Sequence, residues 1–256
     1  MGPDIQRASS NLTLKSFNGV TKNVSTKAGS RIKQVWRTAD AVCFDVDSTV
    51  CRDEAIDELA KFLGKGEEVA ACTNLAMNGS MSFRQALKMR LDIMKPTANQ
   101  MAAYARNHRI QLTPGIADLV ATLHHRKTDV YLVSGGFRTL ILPVAETLGV
   151  PPNRVYANEL IFDYDGNYIG FDHNELTSDS GSKEIGKAGV CGLLKKLHSY
   201  QHLVMIGDGA TDAEACPPAD AFIGFGGNQV RESVRQQTEW YVYDFETLTS
   251  ELQNSN

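Results

Sequence analysis

Short runs of apolar residues alternate with helix-like patterns along the chain after Trp36. Five runs have the length of a buried strand: Ala41–Val46, Asp129–Val133, Arg154–Ala157, Leu203–Ile206 and Ala221–Ile223. Helical spacing of apolar residues recurs near Ile116–His125, Arg138–Leu148, Ser182–Leu197 and Asp212–Cys216. Strands that are apolar on both faces and alternate with helices are typical of a parallel sheet covered on both sides. We therefore predict an α/β fold with a parallel sheet core and helices on both faces.

Residues 53–108 lack a convincing strand and carry three or four helical patterns. Two segments, Ser82–Gln85 and Thr97–Gln100, match the capping box that begins a helix. Gly64 follows a run of apolar residues with helical spacing and suits the end of a helix. These patterns predict a helical-bundle cap at 53–108, inserted after the first strand, and a core formed by residues 35–52 and 109–256. Within the core, 161–171 reads as a small hairpin around Asp165-Gly166-Asn167.

Residues 1–34 are predicted to be a flexible basic extension. Residues 1–37 hold seven Lys/Arg and one Asp, whereas the rest of the chain has 19 basic and 29 acidic residues. A basic, Ser-rich and acid-poor start resembles an organellar presequence, although amphipathic periodicity is weak. We expect a cytoplasmic protein and keep an organellar presequence as the alternative.

Composition restricts the classes of partner. The net charge of −4 and the absence of a Lys/Arg-rich block in the body disfavour nucleic-acid binding. No apolar run approaches the roughly 20 residues that cross a bilayer, so we expect no membrane partner. The five cysteines form no Cys-x-x-Cys pair, which predicts unpaired thiols and no zinc site.

Three predicted strands run directly into polar residues. The first is followed by Asp45 and Asp47, and a later strand by Asp208 and Asp212. Ligands of open α/β sheets bind at the carboxyl ends of the strands, so these four carboxylates are expected to converge. Like charges at close range require a cation, and oxygen ligands favour a hard divalent metal. Asp at a strand end also serves in turns and helix caps, which is the alternative for each residue taken singly.

Ser134-Gly135-Gly136-Phe137 follows another strand and is expected to open a helix. A Ser hydroxyl and free amides at a helix N-terminus form an anion site, and the alternative is a plain glycine turn. Arg90 lies on the apolar side of its predicted helix, where a guanidinium is costly without an anion. A carboxylate on a substrate would satisfy Arg90, and the alternative is an internal salt bridge within the cap.

Taken together, these segments resemble the haloacid dehalogenase superfamily. Asp45–Val50, Ser134–Gly136, Lys183 and Gly207–Asp212 match its four motifs in order. The resemblance extends from about Val35 to Leu252 and implies a Rossmann-like core with an inserted cap. Within the superfamily, five stretches are similar to the branch that hydrolyses phosphoserine: Phe44–Val50, Ile56–Ala60, Leu112–Gly115, Ser134–Arg138 and Asp208–Asn228.

The resemblance also implies roles for individual residues. Asp45 would accept the phosphoryl group, and Asp47 would act as general acid and base. Mg²⁺ would be held by Asp45, Asp208 and the main-chain carbonyl of Asp47, with Asp212 in support. The resemblance assigns substrate binding to these residues: Glu54, Met77, Asn78, Phe83, Arg90, Ser134, Gly135, Gly136, Lys183, Thr211 and Arg231.

The expected activity is Mg²⁺-dependent hydrolysis of O-phospho-L-serine through an aspartyl-phosphate, the last step of serine biosynthesis, by a possible homodimer. One alternative is a phosphatase or phosphotransferase of the same superfamily that acts on another small phosphorylated metabolite. A further alternative is a phospho-ligand-binding protein without catalysis, since fold does not fix function. Glu54 and Arg90 together favour an amino-acid substrate, which carries both an ammonium and a carboxylate.

Overall fold

The computed structural model describes residues 30–78 and 81–254, and it leaves out the side chains of residues 76–78. Most of the predicted extension, together with the side chains of Met77 and Asn78, therefore lies outside the described residues. The described chain forms a six-stranded sheet in the order β3-β2-β1-β6-β7-β8, and every neighbouring pair is parallel. The sheet contains β1 Ala41–Phe44, β2 Asp129–Phe137, β3 Val155–Asn158, β6 Leu203–Gly207, β7 Ala221–Phe225 and β8 Tyr241–Val242. The predicted α/β fold with a parallel sheet is confirmed.

Helices cover both faces of this sheet. The α-helices of the described residues are α1 (30–37), α2 Ala55–Phe62, α3 Gly66–Asn78, α4 Phe83–Met94, α5 Ala98–Asn107, α6 Ile116–His125, α7 Arg138–Thr147, α8 Gly186–His198, α9 Ala210–Ala213, α10 Glu232–Arg235 and α11 Phe245–Gln253, of which α2 to α5 pack in a cluster of their own. Successive side chains of β1 point to opposite faces. Val42 and Phe44 pack in the core against α1, α6, α7 and α11, and Ala41 and Cys43 pack on the other side against α8.

The predicted hairpin is present as β4 Leu160–Phe162 and β5 Tyr168–Phe171, which pair antiparallel. The sequence prediction missed β8, the edge strand after α10. This strand is two residues long and pairs only with the end of β7, through Gly224↔Tyr241 and Phe225↔Val242. An alternating pattern needs about four residues to be recognised, and a strand of this length therefore leaves no signal in the sequence.

The boundary of the extension at residue 34 is wrong, because helix α1 already occupies residues 30–37. Ile32, Val35 and Trp36 have helical spacing, and this stripe packs in the core beside α11. The Trp36 indole N–H donates to the carbonyl of Leu248 at 3.1 Å. Lys33 pairs with Glu251 of the same helix α11 at 3.0 Å. The folded part of the chain therefore begins at least five residues earlier than the composition predicted.

Four helices, α2 to α5, lie between β1 and α6 in the chain. Both predicted capping boxes are present, with Ser82 accepting from the Gln85 amide and Thr97 from the Gln100 amide. Gly64 has a φ of +70° one residue beyond the C-cap of α2, a left-handed conformation that favours glycine. Among the described residues, no helix combines the length and apolar character that a membrane crossing requires. All five cysteines are free thiols, as predicted.

Candidate active site

The carboxyl ends of β1 and β6 bring distant aspartates together. The two strands pair in register, with Phe44 opposite Ile206, and the Asp45 amide donates to the Ile206 carbonyl at 2.9 Å. Asp208 follows β6 directly and Asp212 lies one turn later on α9. Asp45, Asp208 and Asp212 are buried, and each offers a carboxylate oxygen within 4.8 Å of the others. The predicted convergence of acidic groups at this edge is therefore present.

The electrostatics of this triad suit a hard divalent cation. Burial, and next the Asp212 carboxylate, raises the pKa of Asp45 well above its ordinary range, which Lys187 opposes. Burial likewise raises the pKa of Asp212, against the opposing effect of Lys187. The raised pKa values of Asp45 and Asp212 indicate negative charge that nearby side chains do not fully balance. Their all-oxygen donor set fits Mg²⁺ or a similar ion.

A lysine that the sequence analysis did not select lies among the aspartates. Lys187 is buried, and its Nζ contacts Asp45 Oδ1 at 2.6 Å and Asp212 Oδ1 at 2.5 Å. Burial alone would lower the pKa of Lys187, but the two carboxylates raise it above its ordinary value, so the lysine is a cation. Lys187 therefore supplies positive charge directly beside Asp45.

Asp45, Asp208 and Lys187 border one cavity. The assignment of this role to Lys183 is wrong, because Lys183 is exposed and does not line that cavity. We expected the helix to begin at Ser182, but α8 begins at Gly186. Gly186 has a φ of +65°, and Lys187 then lies in the first turn of α8. The sequence signal that identifies the correct lysine is Gly186-Lys187 followed by apolar residues with helical spacing.

Asp47 occupies the loop after β1 and points into the same cavity. Its Oδ1 accepts from the Ala55 amide at 2.8 Å, and its Oδ2 accepts from the Ser134 hydroxyl at 3.2 Å. Burial raises the pKa of Asp47, while both hydrogen bonds oppose the shift. Such a carboxyl is held in place and is prepared to carry a proton.

Gly135 and Gly136 line the cavity from β2, not from a helix as expected, and Ser134 is fully buried directly before them. The strand continues to Phe137 through a shift in register, and α7 begins only at Arg138. The buried Ser134 Oγ accepts from the Gly136 amide at 2.8 Å. A Cβ on Gly136 would lie 3.0 Å from Asp47 Oδ2, so glycine allows the carboxylate to approach the backbone closely.

Glu54, at the N-terminus of α2, connects this helix to the aspartates through Arg231. Its Oε1 accepts from the Ser48 hydroxyl at 2.8 Å and from Arg231 Nη2 at 3.3 Å, and Arg231 Nε donates to Asp208 Oδ2 at 2.8 Å. Burial, and next the Asp47 carboxylate, raises the pKa of Glu54 to about 7. Glu54 makes no hydrogen bond that caps α2, so its carboxylate is directed at the site and not at its own helix.

Arg90 and Phe83 extend from α4 to the same cavity, which has a volume of about 220 Å³. Arg90 Nε donates to the Ala86 carbonyl at 3.2 Å, and no acid in the described part of the chain forms an ion pair with it. Burial lowers the pKa of this guanidinium. The internal salt bridge considered as the alternative is therefore absent among the described residues, and Arg90 is left to meet an anion in the cavity. Thr211 also lines this cavity.

Comparisons with known proteins agree with this arrangement. The family model for haloacid dehalogenase-like hydrolases matches residues 39–220. The chain belongs to the haloacid dehalogenase-like hydrolases. The phosphoserine phosphatase of Rattus norvegicus is 48% identical over 224 residues, which cover 88% of this chain and 98% of that protein. The chloroplastic phosphoserine phosphatase of Arabidopsis thaliana is 48% identical over 86% of this chain and 74% of its own length.

A solved structure of a phospho-aspartyl intermediate analogue of phosphoserine phosphatase has a TM-score of 0.67 to this chain. Its sequence is 26% identical, and the match covers 83% of this chain and 98% of that chain. The α/β fold described above is thus that of this hydrolase family.

Two residues that support the site in this hydrolase were missed from the sequence. Asn228 Nδ2 donates to the Thr113 hydroxyl at 2.7 Å and to the Ser48 carbonyl at 3.1 Å, and thereby holds the loop that carries Asp47. The buried Asn158 donates to the Gly135 carbonyl at 2.8 Å. Asn158 lies in none of the matching stretches, and Asn228 is the last residue of the stretch Asp208–Asn228 without a role assigned to it, so only their tertiary contacts distinguish them.

Proposed function

We propose that this chain hydrolyses O-phospho-L-serine to L-serine and phosphate through an aspartyl-phosphate on Asp45. The observation that supports this substrate best is that one cavity holds Glu54 and Arg90 beside Asp45 and Asp47, and that Arg90 forms no ion pair with any acid of residues 30–78 and 81–254. A substrate with both an ammonium and a carboxylate uses both charges. The names and the high identity of the relatives support the same choice.

In the first step, a carboxylate oxygen of Asp45 attacks phosphorus and the bond from phosphorus to the seryl oxygen breaks. Asp47 gives its proton to the departing oxygen, so serine leaves as a neutral alcohol. The raised pKa of Asp47 supports this role, because the carboxyl retains a proton more readily than an exposed one. The cation of Lys187, beside Asp45, stabilises the ionised form of the nucleophile. It also attracts the negatively charged phosphoryl oxygens of the substrate.

In the second step, the Asp47 carboxylate takes a proton from a water molecule that attacks the aspartyl-phosphate. The bond between Asp45 and phosphorus breaks, which releases phosphate and restores both carboxyl groups to their starting states. One side chain thus serves as acid and then as base. Since the Ser134 hydroxyl and the Ala55 amide both bind Asp47, it stays in position during both steps.

We propose Mg²⁺ as the metal, held by the carboxylates of Asp45, Asp208 and Asp212 and by the main-chain carbonyl of Asp47. When bound, it neutralises the acidic cluster and polarises the phosphoryl oxygens. The phosphate is proposed to lie among four residues that line the cavity, Gly135, Gly136, Lys187 and Thr211. Ser134, whose hydroxyl bonds to the Gly136 amide, is proposed to complete this site.

The amino-acid end of the substrate is assigned to the cap. Glu54 would bind the ammonium and Arg90 the carboxylate, and Phe83, Met77 and Asn78 would close over the substrate. Arg231 is proposed to hold Glu54 and Asp208 in their relative positions through its two hydrogen bonds.

The wider setting of the enzyme is also a proposal. We assign residues 53–108 to the cap domain, and we place the reaction at the last step of serine biosynthesis in a cytoplasmic homodimer. The chloroplastic relative supports the alternative that residues 1–34 direct the protein to an organelle. A fluorescent fusion of that segment would separate the two locations, and light scattering would give the oligomeric state.

The proposed function is tested by phosphate release with L- and D-phosphoserine, phosphothreonine and sugar phosphates, with and without Mg²⁺. We expect the highest kcat/KM for L-phosphoserine and no turnover after removal of the metal with a chelator. Asp45→Asn should fold normally and release no phosphate. Preference for a sugar phosphate would contradict the substrate, and turnover by the Asp45 variant would contradict the nucleophile.

A further inference from the structure

One side chain of the cap makes a concentrated set of contacts with the core. Arg84, in the first turn of α4, donates to the Ser178 hydroxyl through Nη2 at 2.9 Å and to the His173 carbonyl at 3.4 Å. Its Nε lies 3.4 Å from Asp179 Oδ2, and its own backbone amide donates to Asp179 Oδ1 at 3.3 Å. Backbone and guanidinium of one residue thus both bind the segment 173–179.

These contacts lie next to the cavity and far in sequence from the segments that connect cap and core. Asp179, which Arg84 contacts, and Phe83, which precedes Arg84 in the chain, both line the cavity. The two connecting segments join where the Arg52 amide donates to the Gln111 carbonyl at 2.9 Å. Other contacts between cap and core include the Ala98 amide, which donates to the Gly166 carbonyl at 2.9 Å, and an apolar cluster that joins Leu87 to Phe137. Arg84 adds a polar connection directly beside the cavity.

The segment that Arg84 holds leads directly to the catalytic lysine. Ser178 is fully buried and fixes the start of the segment, while Asp179 and Ser180 line the cavity. A Cβ on Gly186 would lie 2.9 Å from the Asp179 carbonyl, so the Asp179 backbone packs against the residue before Lys187. The Asp179 backbone is therefore in close contact with the start of α8.

We propose that Arg84 is a positioning residue: by binding Ser178 and Asp179 it closes the cap over the cavity and at the same time fixes the segment that carries Lys187. Closing the cap and assembling the phosphate site are then one event. The inference rests on the proposed function for its kinetic consequence, but the contact between cap and core does not depend on which substrate is turned over.

The chain provides a matched control on the same helix. Lys88 is exposed and pairs with Asp92 of α4 at 2.5 Å, without reaching the core. Lys88→Ala removes a cation and an ion pair from the cap surface, whereas Arg84→Ala removes the polar contacts with residues 173–179. Arg84→Lys keeps the charge but loses the planar fork that binds several acceptors.

Hydrogen exchange of the full chain tests the connection without any substrate. We expect Arg84→Ala to speed exchange in both α4 and residues 178–187 by roughly tenfold, the effect of losing hydrogen bonds to a charged group. Exchange in β1 and β6 should stay unchanged, which shows that the core is folded. Arg84→Lys should lie between wild type and Arg84→Ala, and Lys88→Ala should match wild type.

Kinetics with L-phosphoserine test the coupling. Arg84→Ala should raise KM and lower kcat, each by about tenfold or more, because misplacement by about 1 Å can cost a hundredfold. The double variant with both Arg84→Ala and Asp179→Asn should have nearly the same KM and kcat as Arg84→Ala alone. Unchanged exchange in residues 178–187, or kinetics equal to those of Lys88→Ala, would overturn the inference. If wild type itself releases no phosphate from phosphoserine, the proposed function fails, and the exchange comparison still decides whether Arg84 fastens the cap.

Discussion

At the scale of single residues, two lysines four positions apart differ completely in environment. Lys187 is enclosed by Asp45 and Asp212, whereas Lys183 is exposed to solvent. The position of the first turn of α8 decides which of them reaches the aspartates. Helix starts are among the least reliable predictions from a single sequence, so motif spacing alone selected the wrong lysine.

Replacing each lysine by methionine tests this difference. Lys187→Met should reduce kcat by about a hundredfold or more, because a preorganised cation beside the reacting phosphoryl group is lost. It should also lower the free energy of unfolding by about 3–5 kcal/mol if the two carboxylates stay ionised without their partner. Phosphate release and urea unfolding measure the two effects. Lys183→Met, as the control, should behave like wild type; loss of activity in that variant alone would restore the sequence assignment.

Glu54 gives a prediction for the pH dependence. Its pKa is raised to about 7, so the free enzyme carries a neutral Glu54 below that pH and a carboxylate above it. Only the carboxylate pairs with an ammonium, so kcat/KM for phosphoserine should fall as the pH falls through about 7. Glu54→Gln should have a low kcat/KM without this decline.

The substrate phosphate titrates near pH 6 and affects both enzymes alike, so the difference between the two profiles isolates Glu54. An identical decline in both profiles would mean that another group is responsible.

At the scale of elements, the cap helix α4 meets the end of β2. Phe83 packs so closely on Gly135 that a Cβ there would lie 2.6 Å from the Phe83 ring. The resemblance assigned both Phe83 and Gly135 to the substrate, but the pattern of apolar and polar positions gives no sign that they touch, because they belong to different parts of the chain. Contacts between elements depend on how the cap packs on the core, which periodicity does not encode.

Gly135→Ala should therefore push Phe83 away and raise KM by roughly tenfold, a typical result of a clash at a packed contact. In a Phe83→Ala background the same glycine substitution should have little further effect, since the ring that it displaces is gone. Steady-state kinetics of the four proteins measure the coupling. Additive effects would show that Gly135 acts independently of the cap.

At the scale of the whole molecule, the first and last helices join the ends of the folded chain. Trp36 of α1 is fully buried and bonds to Leu248 of α11. Composition placed residues 30–34 in a flexible segment, because the basic and polar residues outweighed a stripe of three apolar ones. That stripe stabilises a helix only when α11 is beside it.

Trp36→Ala should lower the free energy of unfolding by about 3–5 kcal/mol, the usual cost of removing a large buried aromatic. Lys33→Ala is the control on the same helix, and its partly exposed ion pair with Glu251 should contribute at most about 1 kcal/mol. Urea unfolding of the three proteins gives the values. A Trp36 variant as stable as the control would show that α1 adds little to the core.

The sequence by itself determined the parallel sheet, the inserted helices and the acidic residues at the ends of β1 and β6. Strand periodicity and chain order specify these features locally, and the carboxyl ends of parallel strands must share an edge. The tertiary structure decided that Lys187 and not Lys183 joins Asp45, that Asn228 and Asn158 hold the loops, and that Arg84 fastens the cap. Each of these depends on side chains that meet across more than twenty residues of chain, where packing geometry and not local pattern selects the partner.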